Sequence, residues 1–314
     1  MLIFDAEQTR AALPFDALIP ALHDAFRSTT HVPLRHIHDL SGTVEQTATV
    51  LLMPAWNAQF FGIKTVAVYP DNTQRQLPGL HSTYLLHDAR SGAPVALIDG
   101  NEITSRRTAA ASALAASRLA RKDADTLLVV GAGRVASLLA PAYRCVRPVR
   151  RVLVWDINQE QARKLVARLI EDGFDAEVAT SLEAACGEAD MVTCATLSTE
   201  PLIHRAWLRP GTHLDLIGGF TPQMRESDDA CFSDTCVFVD TDEALLKAGD
   251  LLRPIANGVF YAEQVRADLA ALCQGRHPGR TDDTQITVFK AVGTALEDLA
   301  AAQSVYLALS ANDR

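Results

Sequence analysis

Four basic residues in the first third of the chain stand in places that suggest chemistry rather than solubility. Lys64 closes Phe61-Gly62-Ile63-Lys64 inside an otherwise apolar run. Arg35 follows Val32-Pro33-Leu34, and Arg106 and Arg107 open an alanine-rich stretch. The planar guanidinium fork grips a carboxylate at two points. Two or three such cations converging on one cleft would clamp a small organic acid, although any one of them alone reads as a surface charge.

A second constellation begins at Thr126. The run Thr126-Leu127-Leu128-Val129-Val130-Gly131-Ala132-Gly133-Arg134-Val135-Ala136 reads as strand, tight turn and helix start. Gly131 makes the turn, Gly133 lets the backbone approach a pyrophosphate, and Ala136 lets the helix pack near the strand. The N–H groups at the helix start then face the phosphates. A second apolar run ends in Asp156, 25 residues past Gly131 (156 − 131), close to the spacing of an acid that binds ribose hydroxyls. Without that acid and the preceding strand, the motif would be a plain glycine turn. A carboxylate there accepts hydrogen bonds from a 2′-hydroxyl and repels a 2′-phosphate, and neighbouring Ile157 and Asn158 offer no cation. The cofactor expected is therefore NAD(H) in preference to NADP(H).

The elements that must hold these groups follow from periodicity. Leu18, Leu22 and Phe26 recur at helical spacing between Asp5 and Ser28, and Pro14 and Pro20 predict a break into two short helices. Strands are expected at Thr47–Met53, Phe60–Val68, Ser82–Leu86 and Pro94–Ile98, in quick enough succession for an antiparallel or mixed sheet. Thr104–Leu119 is a strong alanine-rich helix, suited to cross between domains. Beyond Asp123, strands at Thr126–Val130, Arg151–Trp155, Asp175–Ala179, Met191–Ala195, His213–Ile217 and Cys236–Val239 predict an α/β fold with a Rossmann doubly wound parallel sheet. Thr287–Leu309 reads as a final helix returning to the first domain. The expected division is a smaller α/β substrate-binding and dimerisation domain over 1–112, completed by a C-terminal helix over 290–314, and a dinucleotide-binding domain over 113–289.

Composition excludes several classes. A chain of 314 residues exceeds what one core usually serves. The net charge of −9 disfavours nucleic acid as a partner. No apolar stretch is long enough to span a membrane, the start is not that of a signal peptide, and the cytoplasm is the expected location. Six cysteines without a C-x-x-C pair read as free thiols, and nine histidines without metal spacing predict no metal.

With these segments in place, the chain resembles the ornithine cyclodeaminase/mu-crystallin family over nearly its whole length. The matching segments are Gly62-Ile63-Lys64, Asp99-Gly100-Asn101-Glu102-Ile103-Thr104, Arg107-Thr108-Ala109-Ala110, Gly131-Ala132-Gly133, Ala195-Thr196-Leu197-Ser198-Thr199-Glu200-Pro201, Ile217-Gly218-Gly219, and Phe289-Lys290-Ala291-Val292-Gly293 with Glu297-Asp298. The resemblance implies a homodimer and a small substrate with a carboxylate beside an amine or imine carbon. It implies Arg35, Lys64 and Arg107 as the active-site cations. Gly133, Val135, Asp156, Thr196 and Leu197 are implied as dinucleotide contacts, joining Gly131, Arg134, Ala136 and Thr108 in the expected cofactor set. Arg106 has no such counterpart.

One departure bears on the reaction. In the cyclodeaminases the segment matching Ile217-Gly218-Gly219 is followed by an aspartate thought to assist proton transfer; here the residue is Phe220. The phenylalanine version resembles family members that reduce cyclic ketimines such as Δ1-pyrroline-2-carboxylate and Δ1-piperideine-2-carboxylate. The expected activity is that reduction, with Lys64 as a desolvated acid or base between arginines. Ornithine cyclodeaminase, an alanine- or opine-type amino-acid dehydrogenase, and a mu-crystallin-like binding protein stand as alternatives.

Overall fold

The computed structural model describes residues 1–42, 44 and 47–310, with the backbone alone at positions 73 and 74. Residues 311–314, the end of the expected C-terminal helix, lie outside the described residues. In chain order the elements are β1 (Leu2–Phe4), α1 (Ala6–Ala11), α2 (Phe15–Arg27), β2 (His36–Asp39), β3 (Thr49–Trp56), β4 (Phe60–Val68), β5 (Leu80–Asp88), β6 (Pro94–Asp99), α3 (Gly100–Leu119), β7 (Thr126–Val130), α4 (Ala136–Arg144) and β8 (Arg151–Trp155). They continue with α5 (Gln159–Glu171), β9 (Asp175–Val178), α6 (Leu182–Glu188), β10 (Met191–Cys194), β11 (His213–Leu216), β12 (Cys236–Val239), α7 (Ala244–Lys247), α8 (Gly249–Ala256), β13 (Ala267–Asp268), α9 (Leu269–Cys273), β14 (Thr287–Lys290) and α10 (Ala295–Ser310). Two compact units result: Met1–Arg107 with the segment from Thr294 onward, and Thr108–Gly293.

The first unit is a mixed sheet in the order β1-β6-β5-β4-β3-β2, antiparallel except for the β1–β6 pair. Helix α10 packs on α2 and across β3, β4 and β5. The chain breaks between α1 and α2 at Pro14, as the proline pattern predicts, but Pro20 lies inside α2 without ending it. Proline forfeits one backbone hydrogen bond there. Burial of Phe15, Leu18, Ile19, Leu22 and Phe26 along one face of the helix offsets that loss.

The second unit is an all-parallel sheet in the order β13-β12-β14-β11-β10-β7-β8-β9. The six expected strands are β7 to β12, and the order reverses at β7, the switch point of a doubly wound fold. Its core includes Leu128, Val130, Val192, Leu214, Val237 and Val288, all buried. Burying side chains of this size stabilises by about 1.5–3 kcal/mol each.

The expected helix from Thr287 is corrected. Thr287–Lys290 is strand β14, inserted between β11 and β12 with all four residues buried. A four-residue run has no readable period, so a buried strand and a helix turn look alike in sequence. The path changes direction at Gly293, whose φ is +75°, and the Asp240 carboxylate accepts the Val292 and Gly293 N–H groups at 2.7 and 2.6 Å. Helix begins only at Ala295.

No helix among the described residues is long and apolar enough to cross a membrane. Four of the six cysteines are buried, while Cys145 is exposed and Cys236 half-buried.

Candidate active site

The alternation of β4 puts Gly62, Lys64 and Val66 on the buried face. Lys64 is only 1% exposed, and a buried ammonium must be paired. Its Nζ lies 2.7 Å from an Asp298 carboxylate oxygen and donates to Thr104 Oγ1 at 3.2 Å. Arg107, a few residues inside α3, donates from Nε to the other Asp298 oxygen at 3.0 Å and from Nη1 to Glu297 at 2.6 Å. The start of α3 is set by Asp99, whose carboxylate accepts the Glu102 N–H at 2.7 Å. Arg35 is half-buried, and its charge acts on both Lys64 and Asp298.

Of the four cations noted in the sequence, three thus belong to one cluster. Arg106 does not: its Nε donates to Leu13 O at 2.7 Å and its guanidinium lies 4.5 Å over the Phe15 ring. It ties α3 to the α1–α2 region.

The cluster interleaves cations and carboxylates: Lys64 and Arg107 both pair with Asp298, Arg107 also pairs with Glu297, and the charge of Arg35 reaches Lys64 and Asp298. Burial pushes Lys64 down from the usual lysine value to about 8, with Arg107 and Arg35 adding to the effect and Asp298 opposing it. Burial raises Asp298, but Lys64 and Arg107 more than offset that and hold it below the ordinary carboxylate value.

Glu297 and Asp298 had no role in the sequence reading beyond their place in a motif. The signal was present: two adjacent acids open an otherwise apolar, alanine-rich helix. Such acids must find cations, and the start of α10 favours negative charge.

In the second unit the glycine turn stands at the C-terminal end of β7. Gly131 has φ +106°, which side-chain-bearing residues rarely adopt, and a Cβ there would lie 2.8 Å from Ala195 O. A Cβ on Gly133 would meet nothing within 4 Å, so the backbone there is open to a ligand. The N–H groups of Gly133, Arg134 and Val135, just before α4, make no hydrogen bond among the described residues. Asp156 at the end of β8 accepts the Ala132 N–H and the Asn158 N–H, each at 2.7 Å. It therefore clamps the turn as well as presenting a carboxylate.

Gly131, Ala132, Asp156 and Thr196 meet at the ends of three neighbouring strands, β8, β7 and β10. Arg134 and Leu197 are exposed, and Ala136 is buried against the sheet. Thr108 is half-buried on α3, and its inclusion rests on the resemblance alone. The open turn, the unpartnered donors and the acid on the second strand fit a dinucleotide.

Beneath the turns lies a polar layer that sequence reasoning missed. Glu226, fully buried, accepts from Thr196 N–H at 2.7 Å, Thr196 Oγ1 at 2.8 Å and Gly218 N–H at 2.7 Å. Asp250 accepts the N–H groups of Glu226 and Ser227 at 2.7 and 3.2 Å. Lys290, at the end of β14, donates to Asp250 at 2.9 Å. Reading Thr287–Lys290 as helix removed Lys290 from this layer. Asp215 accepts from Tyr143 and Thr193 at 2.8 and 2.7 Å, and burial raises it to about 6. Phe220 stands nearly half exposed.

A doubly wound sheet with a glycine turn, and a separate unit holding a buried cluster of cations and carboxylates, define a dinucleotide-dependent protein acting on a small organic acid. The chain belongs to the ornithine cyclodeaminase/mu-crystallin family, whose model matches residues 2–313. It is 41% identical to a Δ1-pyrroline-2-carboxylate reductase of Paracoccus denitrificans, covering 88% of each chain. It is 35% identical to one of Colwellia psychrerythraea, covering 97% of this chain and 98% of that one. A Thermococcus litoralis Δ1-pyrroline-2-carboxylate reductase solved with NADH and L-proline superposes with a TM-score of 0.94 at 31% identity, covering 100% of this chain and 98% of the other.

Proposed function

We propose that this chain is a nicotinamide-dependent reductase of cyclic ketimine carboxylates, converting Δ1-pyrroline-2-carboxylate or Δ1-piperideine-2-carboxylate to proline or pipecolate. The observation that carries it is the buried Lys64–Asp298–Arg107–Glu297 cluster, which sets an ammonium able to give a proton beside a guanidinium fork suited to a carboxylate. The names of its relatives support the same substrate class.

Arg35 and Arg107 hold the substrate carboxylate, which fixes the position of the adjacent imine carbon. The C=N bond gains a hydride at carbon and a proton at nitrogen; the hydride would come from NADH held at the Gly131 turn, oxidised in the step to NAD⁺. Lys64, charged at neutral pH and beside the carboxylate site, donates the proton or keeps the imine protonated. Phe220 can take no part in the proton transfers of cyclisation and ammonia loss, which separates this reading from ornithine cyclodeaminase.

Asp156 favours NAD(H), since a 2′-phosphate would meet its carboxylate. The test is NADH and NADPH oxidation followed by absorbance with each cyclic imine, beside ammonia release from L-ornithine. Rapid oxidation, with kcat/KM at least about tenfold higher for NADH (a difference of about 1.4 kcal/mol), and no ammonia is expected. Ammonia and proline from ornithine would overturn the reductase reading; equal use of NADPH would overturn the role of Asp156.

The protein is also read as a homodimer. Trp56 and Phe61, directly opposed on β3 and β4 and so on one face of the sheet, are 40% and 36% exposed. A second copy would cover such a patch. Sedimentation should give twice the 34.0 kDa chain mass; a monomer at micromolar concentration would refute it.

A further inference from the structure

The dinucleotide turn at Gly131 and the acid at Asp156 account for one half of a cofactor lying across the sheet. Asp156 on β8 faces the adenosine ribose, and the turn after β7 takes the pyrophosphate. The other half must then run over the strands on the far side of β7, which are β10 and β11. The segments that receive it are the turns that follow those strands, at Thr196 and Gly218.

Further along, the two segments are joined by backbone, with the Arg225 N–H donating to Ser198 O at 2.9 Å. At Thr196 and Gly218 themselves both turns are held by Glu226. Its carboxylate takes three donors: the N–H and hydroxyl of Thr196 on one oxygen, and the N–H of Gly218 on the other. The contact is close. A Cβ on Gly218 would lie 1.9 Å from Thr196 O and 2.5 Å from Glu226 Oε1. Glu226 is held from below in turn. Asp250, in the first turn of α8, accepts the N–H groups of Glu226 and Ser227, and Lys290 pairs with Asp250. A Cβ on Gly219 would lie 2.3 Å from Asp250 Oδ2. Glycines at 218 and 219 thus let the backbone settle on two buried carboxylates. A carboxylate this deep is costly to bury unless its donors are in place. With all three made, it fixes the Thr196 and Gly218 ends of two segments that the Arg225 N–H to Ser198 O bond joins further along.

We propose that Glu226 is a positioning residue whose buried carboxylate gathers the Thr196 and Gly218 turns into a preformed seat for the nicotinamide half of the dinucleotide, a reading that rests on the cofactor assignment above. Glu226 touches no reacting atom. It acts through the two turns, and Asp250 and Lys290 act through it.

The first measurement uses the unaltered protein without cofactor. Amide hydrogen exchange at Thr196 and Gly218 should be as slow as within β10 and β11. Exchange at loop rates that slows only when NADH is added would overturn the proposal. The second uses Glu226→Gln, whose amide can serve one turn only, because its NH2 group opposes a donor at the other. NADH affinity by fluorescence titration should fall about tenfold or more, while AMP, which lacks the nicotinamide half, binds as before and the KM for the imine is unchanged. Equal loss of NADH and AMP would mean general damage to the domain and would overturn the positioning role. Should Glu226→Gln not fold, Thr196→Val removes one of the three donors and should weaken NADH selectively over AMP. Failure of the unaltered protein to bind NADH at all would instead defeat the cofactor assignment, an outcome the AMP control separates from the first.

Discussion

Replacing Lys64 by methionine should lower kcat for imine reduction by about 100- to 10,000-fold, the usual contribution of a positioned general acid. Methionine keeps the length and apolar stem of lysine but has no proton to give. The pH profile carries the finer test. Lys64 is pushed down to about 8 by burial, helped by Arg107 and Arg35, and it is useful as an acid only while protonated. Wild-type kcat/KM should therefore be level through neutral pH and fall as pH rises past about 8. The Lys64→Met variant should lack that alkaline limb. Asp298 keeps its bond from Arg107 in the variant, so the fold is expected to survive, which circular dichroism checks. Activity within tenfold of wild type, or an unchanged alkaline limb, would remove Lys64 from the chemistry.

Asp298→Asn changes shape little and charge completely. Lys64 would then lose the carboxylate 2.7 Å from its ammonium while Arg107 kept Glu297. Breaking a buried pair by removing one partner costs roughly 3–5 kcal/mol, because the remaining charge is left uncompensated. Urea unfolding near neutral pH should show a loss of that order. The direction with pH follows from the carboxyl's own shift. Burial raises Asp298, but Lys64, Arg107 and Arg35 together lower it below its unfolded value. Its ionisation therefore stabilises the fold above the unfolded carboxylate range, and that stability is lost as pH falls through the lower folded value. The variant should lack this acid-side loss and show a flatter stability curve there. With the attraction of Asp298 gone, Lys64 should lose its proton more easily, moving the alkaline limb of kcat/KM below 8. An unmoved limb together with unchanged urea stability would show that Asp298 supports neither the fold nor the lysine.

The two residues differ in how visible they were. Lys64 announced itself as a cation in an apolar run, and Arg35 and Arg107 could be placed with it by resemblance. Asp298 lies more than 230 residues further along the chain (298 − 64). Only the return of α10 onto the sheet brings it within 2.7 Å of the lysine.

The sequence by itself determined the strands and turn of the dinucleotide unit. A five-residue apolar strand, a glycine turn and an acid at the end of the next strand act over short distances, where backbone conformation and hydrogen bonding are local. Strands β7, β8 and β12 fall where alternation and turn residues place them. The tertiary structure decided what depends on burial. Pro20 stays inside α2 because a packed apolar face outweighs one missing hydrogen bond. Thr287–Lys290 is a strand because the gap between β11 and β12 is closed by a short buried segment whose backbone groups pair on both edges and whose Lys290 finds Asp250. The partners of the buried charges belong to the same class. Glu226 and Asp250 belong to no motif of their own, and Lys290, Glu297 and Asp298 are visible in the sequence only as members of matched segments. Their roles follow from removal of water, which obliges each buried charge to find a counterpart wherever the chain topology has brought one.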